Sequence, residues 1–396
     1  MYTDNSGVCL AGGVRTPIGS FCGGLTEVSA PALGGIVIRA ALQRAVAGFE
    51  QVDEVIFGNV LSAGLGQNVA RQAAIRAGLS PAVGATTVNK VCGSGLKAVM
   101  LAVQAIRCGD AALVVAGGTE NMSAAPYLLP KARLGYRMGD GEIVDSMVRD
   151  GLWDVYCDVH MGTCGDRCAE RCQFSRQQQD DYAVASYRRA IEAQQNGLFA
   201  EEIVPVEAAG RKGAVTVFQD EGPARFNEEK LRKLPPAFGP NGTITAANAS
   251  SVNDGAAAVV VVSSQKAREL GIMPQAKVLG YATFSREPEW FTLAPIGAVA
   301  RLTERLGLKI ADVDLFEINE AFSVVPLAVM KELGIPHKKL NVHGGAVALG
   351  HPVGASGARV LVTLLAAMRR RGARIGIAAL CIGGGEAVAM AVEAWK

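Results

Sequence analysis

Apolar positions along the first 120 residues follow two periods. Short unbroken runs, Val8-Cys9-Leu10-Ala11, Val55-Ile56-Phe57 and Ala112-Leu113-Val114-Val115-Ala116, have the form of strands buried on both faces. Between them apolar residues return every three or four positions. Leu33, Ile36, Val37, Ala40 and Ala41 do so within residues 30–47, and Leu96, Val99, Met100, Val103 and Ile106 do so after residue 94. These intervals predict helices, with a further one at 68–77. Gly12-Gly13 and Gly117-Gly118 predict strand ends, and Gly109 a helix end. Alternating strands and helices predict a layered α/β domain.

The pattern breaks between about 121 and 249. Met, Tyr, Pro and charged residues become more frequent, and one long polar helix is predicted at 175–196. A stretch of this length without alternation reads as an insertion carrying binding loops. The apolar pattern resumes at Asp254–Val262. From about 270 the chain echoes its beginning. Asp53–Asn59 matches Val313–Asn319, Gly93–Lys97 matches Ala355–Arg359, and Leu113–Glu120 matches Ala379–Glu386. Three echoes in one order predict a duplicated α/β unit. The expected organisation is a first half, 1–120 plus 250–269, a loop domain at 121–249, and a second half at 270–396.

The 396 residues include 49% hydrophobic but only 6% aromatic side chains and 47 glycines. Such a core is built from small aliphatic residues, with many close backbone approaches. A net charge of +2, with no basic block interleaved with aromatics, gives no footprint for nucleic acid. No apolar run is expected to span a membrane. Nine cysteines, no signal-like start in polar residues 1–6 and an ending in Glu393-Ala394-Trp395-Lys396 lead us to expect reduced thiols in a cytoplasmic protein.

Candidate chemistry concentrates in four turns. Val88–Leu96 presents Cys92 just ahead of a helix, where free N–H groups and the helix dipole favour a thiolate. A small buried thiol in a tight turn fits the same residues. His351, one of four histidines, sits before Pro352 in a glycine-flanked loop, which holds its backbone extended. Cys381 ends an apolar run, and Gly383-Gly384-Gly385 after it can turn N–H groups toward one point, as an oxyanion hole requires. Asn319 follows another apolar run. A thiol nucleophile, a histidine base, a second thiol and N–H donors suit carbon–carbon bond formation on thioesters. His160, Cys164, Cys168 and Cys172 recur every four residues, but one helix cannot wrap four ligands around an ion.

Asn89-Lys90-Val91-Cys92-Gly93-Ser94-Gly95, Asn319-Glu320-Ala321-Phe322, Gly344–Pro352 and Cys381–Gly385 together resemble the motifs of the thiolases, and the likeness extends over essentially the whole chain. Within that family it is similar to the biosynthetic, short-chain acetyltransferases. The resemblance implies a duplicated α-β-α-β-α fold with an inserted loop domain, and reversible condensation of two acetyl-CoA into acetoacetyl-CoA and CoA. It implies Cys92 as the acetyl-accepting nucleophile, with His351 as its base. Cys381 would be the base for the second substrate and Asn319 the holder of a water in one oxyanion hole. The N–H groups of Cys92 and Gly383 would form another. It implies contacts to the acyl-pantetheine arm and coenzyme A from Leu152, His160, Met161, Arg225, Leu234, Phe238, Ala246, Ser250, Ala321 and Phe322. It implies no cofactor beyond the thioester substrates. Pro223 stands where relatives that bind potassium carry a tyrosine ligand, so no metal is expected. Lys131, Arg133 and Arg137 match a loop that implies a homotetramer, a dimer of dimers. A degradative 3-ketoacyl-CoA thiolase of broader chain length is the alternative, against which His160-Met161 argues.

Overall fold

A computed structural model describes residues 7–210 and 213–395; the polar lead at residues 1–6 and the last residue of the C-terminal ending lie outside them. Nine strands form the path of a ten-stranded sheet, with Gly19–Ser20 a short tenth beside β5: β1 Val8–Arg15, β2 Glu54–Gly58, β3 Gly84–Val88, β4 Leu113–Asn121, β5 Asn253–Ser263, β6 Ala276–Ser285, β7 Leu315–Ile318, β8 Ile375–Ile382 and β9 Glu386–Ala394. They lie in the order β7-β8-β9-β6-β1-β5-β4-β2-β3. β1 meets β6 through only two residue pairs, Cys9 with Lys277 and Leu10 with Ala276. The sheet is therefore two half-sheets joined at a narrow seam.

Eight main helices cover them: α1 Ala30–Ala45, α2 Val69–Ala77, α3 Ser94–Cys108, α4 Met161–Cys172, α5 Arg176–Gln195, α6 Ala294–Leu306, α7 Val324–Leu333 and α8 Val353–Arg371. Leu33, Val37 and Ala73 of α1 and α2 pack on Val55, Val115 and Val260, the outer face of the first half-sheet. Leu96 and Val99 of α3 and Leu361 and Leu364 of α8 lie between the half-sheets, touching Val114 and Val261 on one side and Leu380 and Met390 on the other. Val299 and Val325 of α6 and α7 cover Ile377 and Ala389 on the far face. The result is five layers, α-β-α-β-α, as expected. Most of these strands are apolar on both faces because each face meets a helix layer; β3 and β6, partly exposed, are the exceptions.

The middle layer carries the duplication. A Cβ on Gly95 would lie 2.7 Å from the Ala358 nitrogen, and one on Gly357 would fall still closer to the Leu96 nitrogen. Gly95 faces Ala358 as Gly357 faces Leu96, the reciprocal contacts of two like units about a two-fold. This supports the second echo but shifts the other two. Asp53 accepts from the N–H groups of Ala112 and Leu113, and Asp314 accepts from those of Arg374 and Ile375. Asp53 is thus the counterpart of Asp314 and Leu113 that of Ile375, where the echoes paired Asp53 with Val313 and Leu113 with Ala379. Strands buried on both faces have no polar alternation to anchor a register.

Two glycine pairs do not end strands as expected. β1 continues through Gly12-Gly13 with a bulge between Ala11 and Val14, Gly12 at φ +61° lying against the Ala41 carbonyl. β4 continues through Gly117-Gly118, where the carbonyls of Ala257 and Gly354 leave no room for a Cβ. Val91–Cys108 does reach the length and mean hydropathy, 1.3, of a membrane span, contrary to the sequence expectation. Here most of it is α3, buried between the half-sheets. The long polar helix appears as α5, started by a reciprocal Ser175–Gln178 capping box.

Candidate active site

The turn after β3 presents a half-buried Cys92 to the cavity between the two halves. The Asn89 carboxamide oxygen accepts from Val91 N–H at 3.0 Å, and Val91 takes φ +45°, a strained conformation for a β-branched residue. Ser94 locks the turn. Its Oγ accepts from Lys90 N–H at 2.8 Å and donates to the Val91 carbonyl at 2.7 Å. Gly93 lies against the side chain of Ile382, which brings the end of β8 beside the turn. Lys90 also pairs with Glu386 at the start of β9, at 2.5 Å.

The second half supplies three loops. Cys381 is paired with Ala387 in the β8–β9 hairpin and is fully buried. Gly384 and Gly385 both adopt φ +87°, and the Arg286 carbonyl presses on Gly385. That turn aims Gly383 back at Cys92. Asn319 follows β7 and donates its N–H to the Ala379 carbonyl at 2.9 Å. His351 N–H donates to Asn253 Oδ1 at 3.0 Å. On its ring, Nδ1 lies 2.6 Å from Ser356 Oγ and Nε2 lies 3.5 Å from Asn319 Nδ2.

These loops surround a cavity of about 340 Å3 lined by Cys92, His351 and Gly383. The size suits a small acyl group on a longer arm. Of the residues the resemblance assigned to coenzyme A contacts, Leu152, His160, Met161, Phe238, Ala246, Ser250, Ala321 and Phe322 also line it. Arg225 and Leu234 do not. Arg225 is exposed on the 3-10 turn Pro223–Arg225, and Leu234 follows the short helix Glu228–Lys233. Cys381 and Asn319 lie behind the lining. His160 caps α4, its Nδ1 accepting from Gly162 N–H at 3.1 Å, and stacks on Phe238. Met161 opens α4, and a Cβ at Gly383 would meet its methyl at 3.4 Å, so it bounds the cavity beside Gly383. Cys164 and Cys168 face the core, and among the described residues no group of three or more His, Cys, Asp or Glu is placed to hold a metal.

The N–H groups of Gly383 and of Cys92 itself both point at the Cys92 sulfur. Burial nevertheless pushes that thiol up to about 11. This corrects the expectation of a thiolate. α3 starts two residues later, at Ser94, and an apolar cavity opposes charge more than two N–H donors favour it. Burial, then Cys92 nearby, holds Cys381 well above the ordinary thiol range. Burial, then Arg359, lowers His351 to about 3. The resting site is therefore two thiols and a neutral imidazole.

Sequence reasoning missed the polar groups that hold this geometry. Glu120 takes N–H bonds from Val60, Leu61, Gly354 and the Asn59 amide, joining the first half to the start of α8. Glu320 binds Tyr182, Ser186, Asn341 and Val347 N–H, tying α5 of the insertion to the Asn319 turn. Asn253 and Ser356 were unremarked as His351 partners. Only the Ser94–Ser356 echo hinted at the latter.

Residues 8–265 match the family model for the thiolase N-terminal domain, and residues 272–394 that for the thiolase C-terminal domain. The chain is 53% identical to acetyl-CoA acetyltransferase 2 of Arabidopsis thaliana over 389 residues, 98% of this chain and 96% of that one. It is also 53% identical to acetyl-CoA acetyltransferase of Cupriavidus necator, over 98% of this chain and 99% of that one. A crystal structure of the Acat5 thiolase from Ascaris suum in complex with coenzyme A superimposes with a TM-score of 0.93 at 44% identity, covering 98% of this chain and all of that one. With both domain models matched and the fold shared over nearly its whole length, this chain belongs to the thiolase family.

Proposed function

We propose that the protein is an acetyl-CoA C-acetyltransferase, condensing two acetyl-CoA into acetoacetyl-CoA and CoA and running the reverse thiolysis. The convergence of the Cys92 and Gly383 N–H groups on the Cys92 sulfur, in a cavity shared with His351, carries this reading. Relatives named acetyl-CoA acetyltransferase and a coenzyme A-bound neighbour support it.

Two buried thiols and a neutral imidazole dictate the proton accounting. His351 Nε2 takes the Cys92 proton as the sulfur attacks the thioester carbonyl. The Cys92 and Gly383 N–H groups hold the oxyanion. CoA leaves with the proton of Cys381, which becomes a thiolate. A thiol held well above its ordinary pKa makes a strong base once ionised, and it removes a proton from the methyl group of the second acetyl-CoA. The protonated His351 and a water held by Asn319 stabilise the enolate oxygen. The carbanion attacks acetyl-Cys92, the Cys92 sulfur leaves with the His351 proton, and every group regains its starting state. Coenzyme A thioesters are the only reactants this cycle uses, with no cofactor.

Incubation with acetyl-CoA should produce acetoacetyl-CoA and an acetyl adduct on the peptide containing Cys92, read by mass spectrometry. Thiolysis that prefers long 3-ketoacyl-CoAs to acetoacetyl-CoA would overturn the short-chain assignment in favour of a degradative thiolase. The finer reading is a cytoplasmic homotetramer in lipid metabolism. Tyr127, Leu129, Leu134, Met138 and Ile143 are exposed apolar residues on and beside the loop carrying Lys131, Arg133 and Arg137, a surface suited to a partner subunit. Sedimentation velocity showing a monomer or dimer would sink the tetramer.

A further inference from the structure

We propose that Ser356 is a positioning residue that fixes the tautomer of His351, keeping Nε2, the nitrogen on the Asn319 side, free to accept a proton. The inference rests on the reading of His351 as the base for Cys92. Ser356 is 1% exposed and carries a single O–H. Its Oγ lies 2.9 Å from the Pro352 carbonyl and 2.6 Å from His351 Nδ1. A carbonyl only accepts, so a hydroxyl hydrogen directed at Pro352 leaves an Oγ lone pair for Nδ1, which then donates. A neutral imidazole carries one N–H, so Nε2 is bare. Asn319 Nδ2, a donor, stands 3.5 Å from it.

Two further observations fix the direction of this chain. Once His351 has taken the Cys92 proton, both ring nitrogens carry hydrogens. A serine that already accepts from Nδ1 serves both states without moving, whereas a serine that donates to Nδ1 must turn around in a buried site. Preorganisation favours the first arrangement. The second observation is the duplication. Ser94, the counterpart of Ser356, donates to the Val91 carbonyl and accepts from Lys90 N–H, a group that can only donate. In both halves the serine hydroxyl points back at a carbonyl one turn earlier and accepts from the segment bearing the reacting side chain. In the first half that segment offers a backbone N–H, and in the second an imidazole.

The test uses the full-length enzyme labelled with 15N-histidine, with the variants Ser356→Ala and Ser356→Thr. Solid-state 15N spectra should show the native His351 protonated on Nδ1. Ser356→Ala should shift population to the Nε2–H form and slow acetylation of Cys92 by about 10²-fold, with KM for acetyl-CoA little changed. Ser356→Thr, which keeps the hydroxyl, should restore both. A native enzyme protonated on Nε2, or a Ser356→Ala variant acetylated at the native rate, overturns the proposal. So does a slowed variant that keeps the Nδ1–H form, because the serine would then act only on packing. If the native enzyme puts no acetyl on Cys92, the functional reading fails, and the spectra still judge the tautomer.

Discussion

Cys381→Ala is expected to give an enzyme that acetylates itself and stops. The side chain is fully buried at the end of β8, close enough to Cys92 for the two thiols to oppose each other's ionisation. The substitution removes the sulfur without disturbing the Gly383–Gly385 turn or the N–H groups aimed at Cys92. Attack by Cys92 on acetyl-CoA needs His351 and those N–H groups, and both remain. Coenzyme A is itself a stable thiolate, so its departure slows but continues. Removing a proton from a methyl group has no such recourse. With no base of sufficient strength in the pocket, condensation should fall by roughly 10³–10⁴. Mass spectrometry should find the acetyl group on Cys92, with acetoacetyl-CoA near background. Condensation at a native rate in this variant would remove Cys381 from the mechanism. An acetyl group on a different residue would displace Cys92 as nucleophile.

Gly357→Val should abolish the native fold. Gly357 sits where α8 crosses α3, and even a Cβ there would collide with the Leu96 backbone nitrogen. The obstacle is a helix backbone held between two half-sheets, which cannot yield as a flexible side chain does. Overpacking of this kind costs about 3 kcal/mol or more, and a β-branched residue adds its own crowding. It also pushes apart the two helices that follow the Cys92 turn and the His351 loop. We expect aggregated protein or, in any folded fraction, a thermal unfolding midpoint lowered by at least about 4 °C. Gly109→Asn is the contrasting control. Gly109 caps α3 at φ +84° with nothing within 4 Å of a Cβ, and asparagine tolerates that conformation. Gly357→Val folding as well as Gly109→Asn would show that the crossing is not close-packed.

The chemistry-bearing turns were legible because each lies within a few residues of chain. Cys92, Asn319, His351 and Cys381 each follow or sit between recognisable apolar runs and glycines. The partners that set their behaviour were not. Glu120 meets Gly354 from 234 positions away, and Ser186 reaches Glu320 from 134. Such pairs have no local pattern, since any buried polar residue in a long chain has many possible partners. The glycine pairs misread as strand ends show the same limit. A glycine in sequence states that something is close or that φ is unusual, and it does not say which.

The sequence by itself determined the main strands and helices of the first half, the long polar helix, the duplication and the four turns that carry the reacting groups, because periodicity and turn chemistry are local properties of the chain. Only the tertiary structure decided the register between the halves, the neutral resting state of Cys92 and His351, and the serine behind the histidine. Register in a doubly buried sheet is set by what packs on it. A pKa is set by the water that folding excludes, and a hydrogen-bond direction by which acceptors remain unspent once the chain has closed around them.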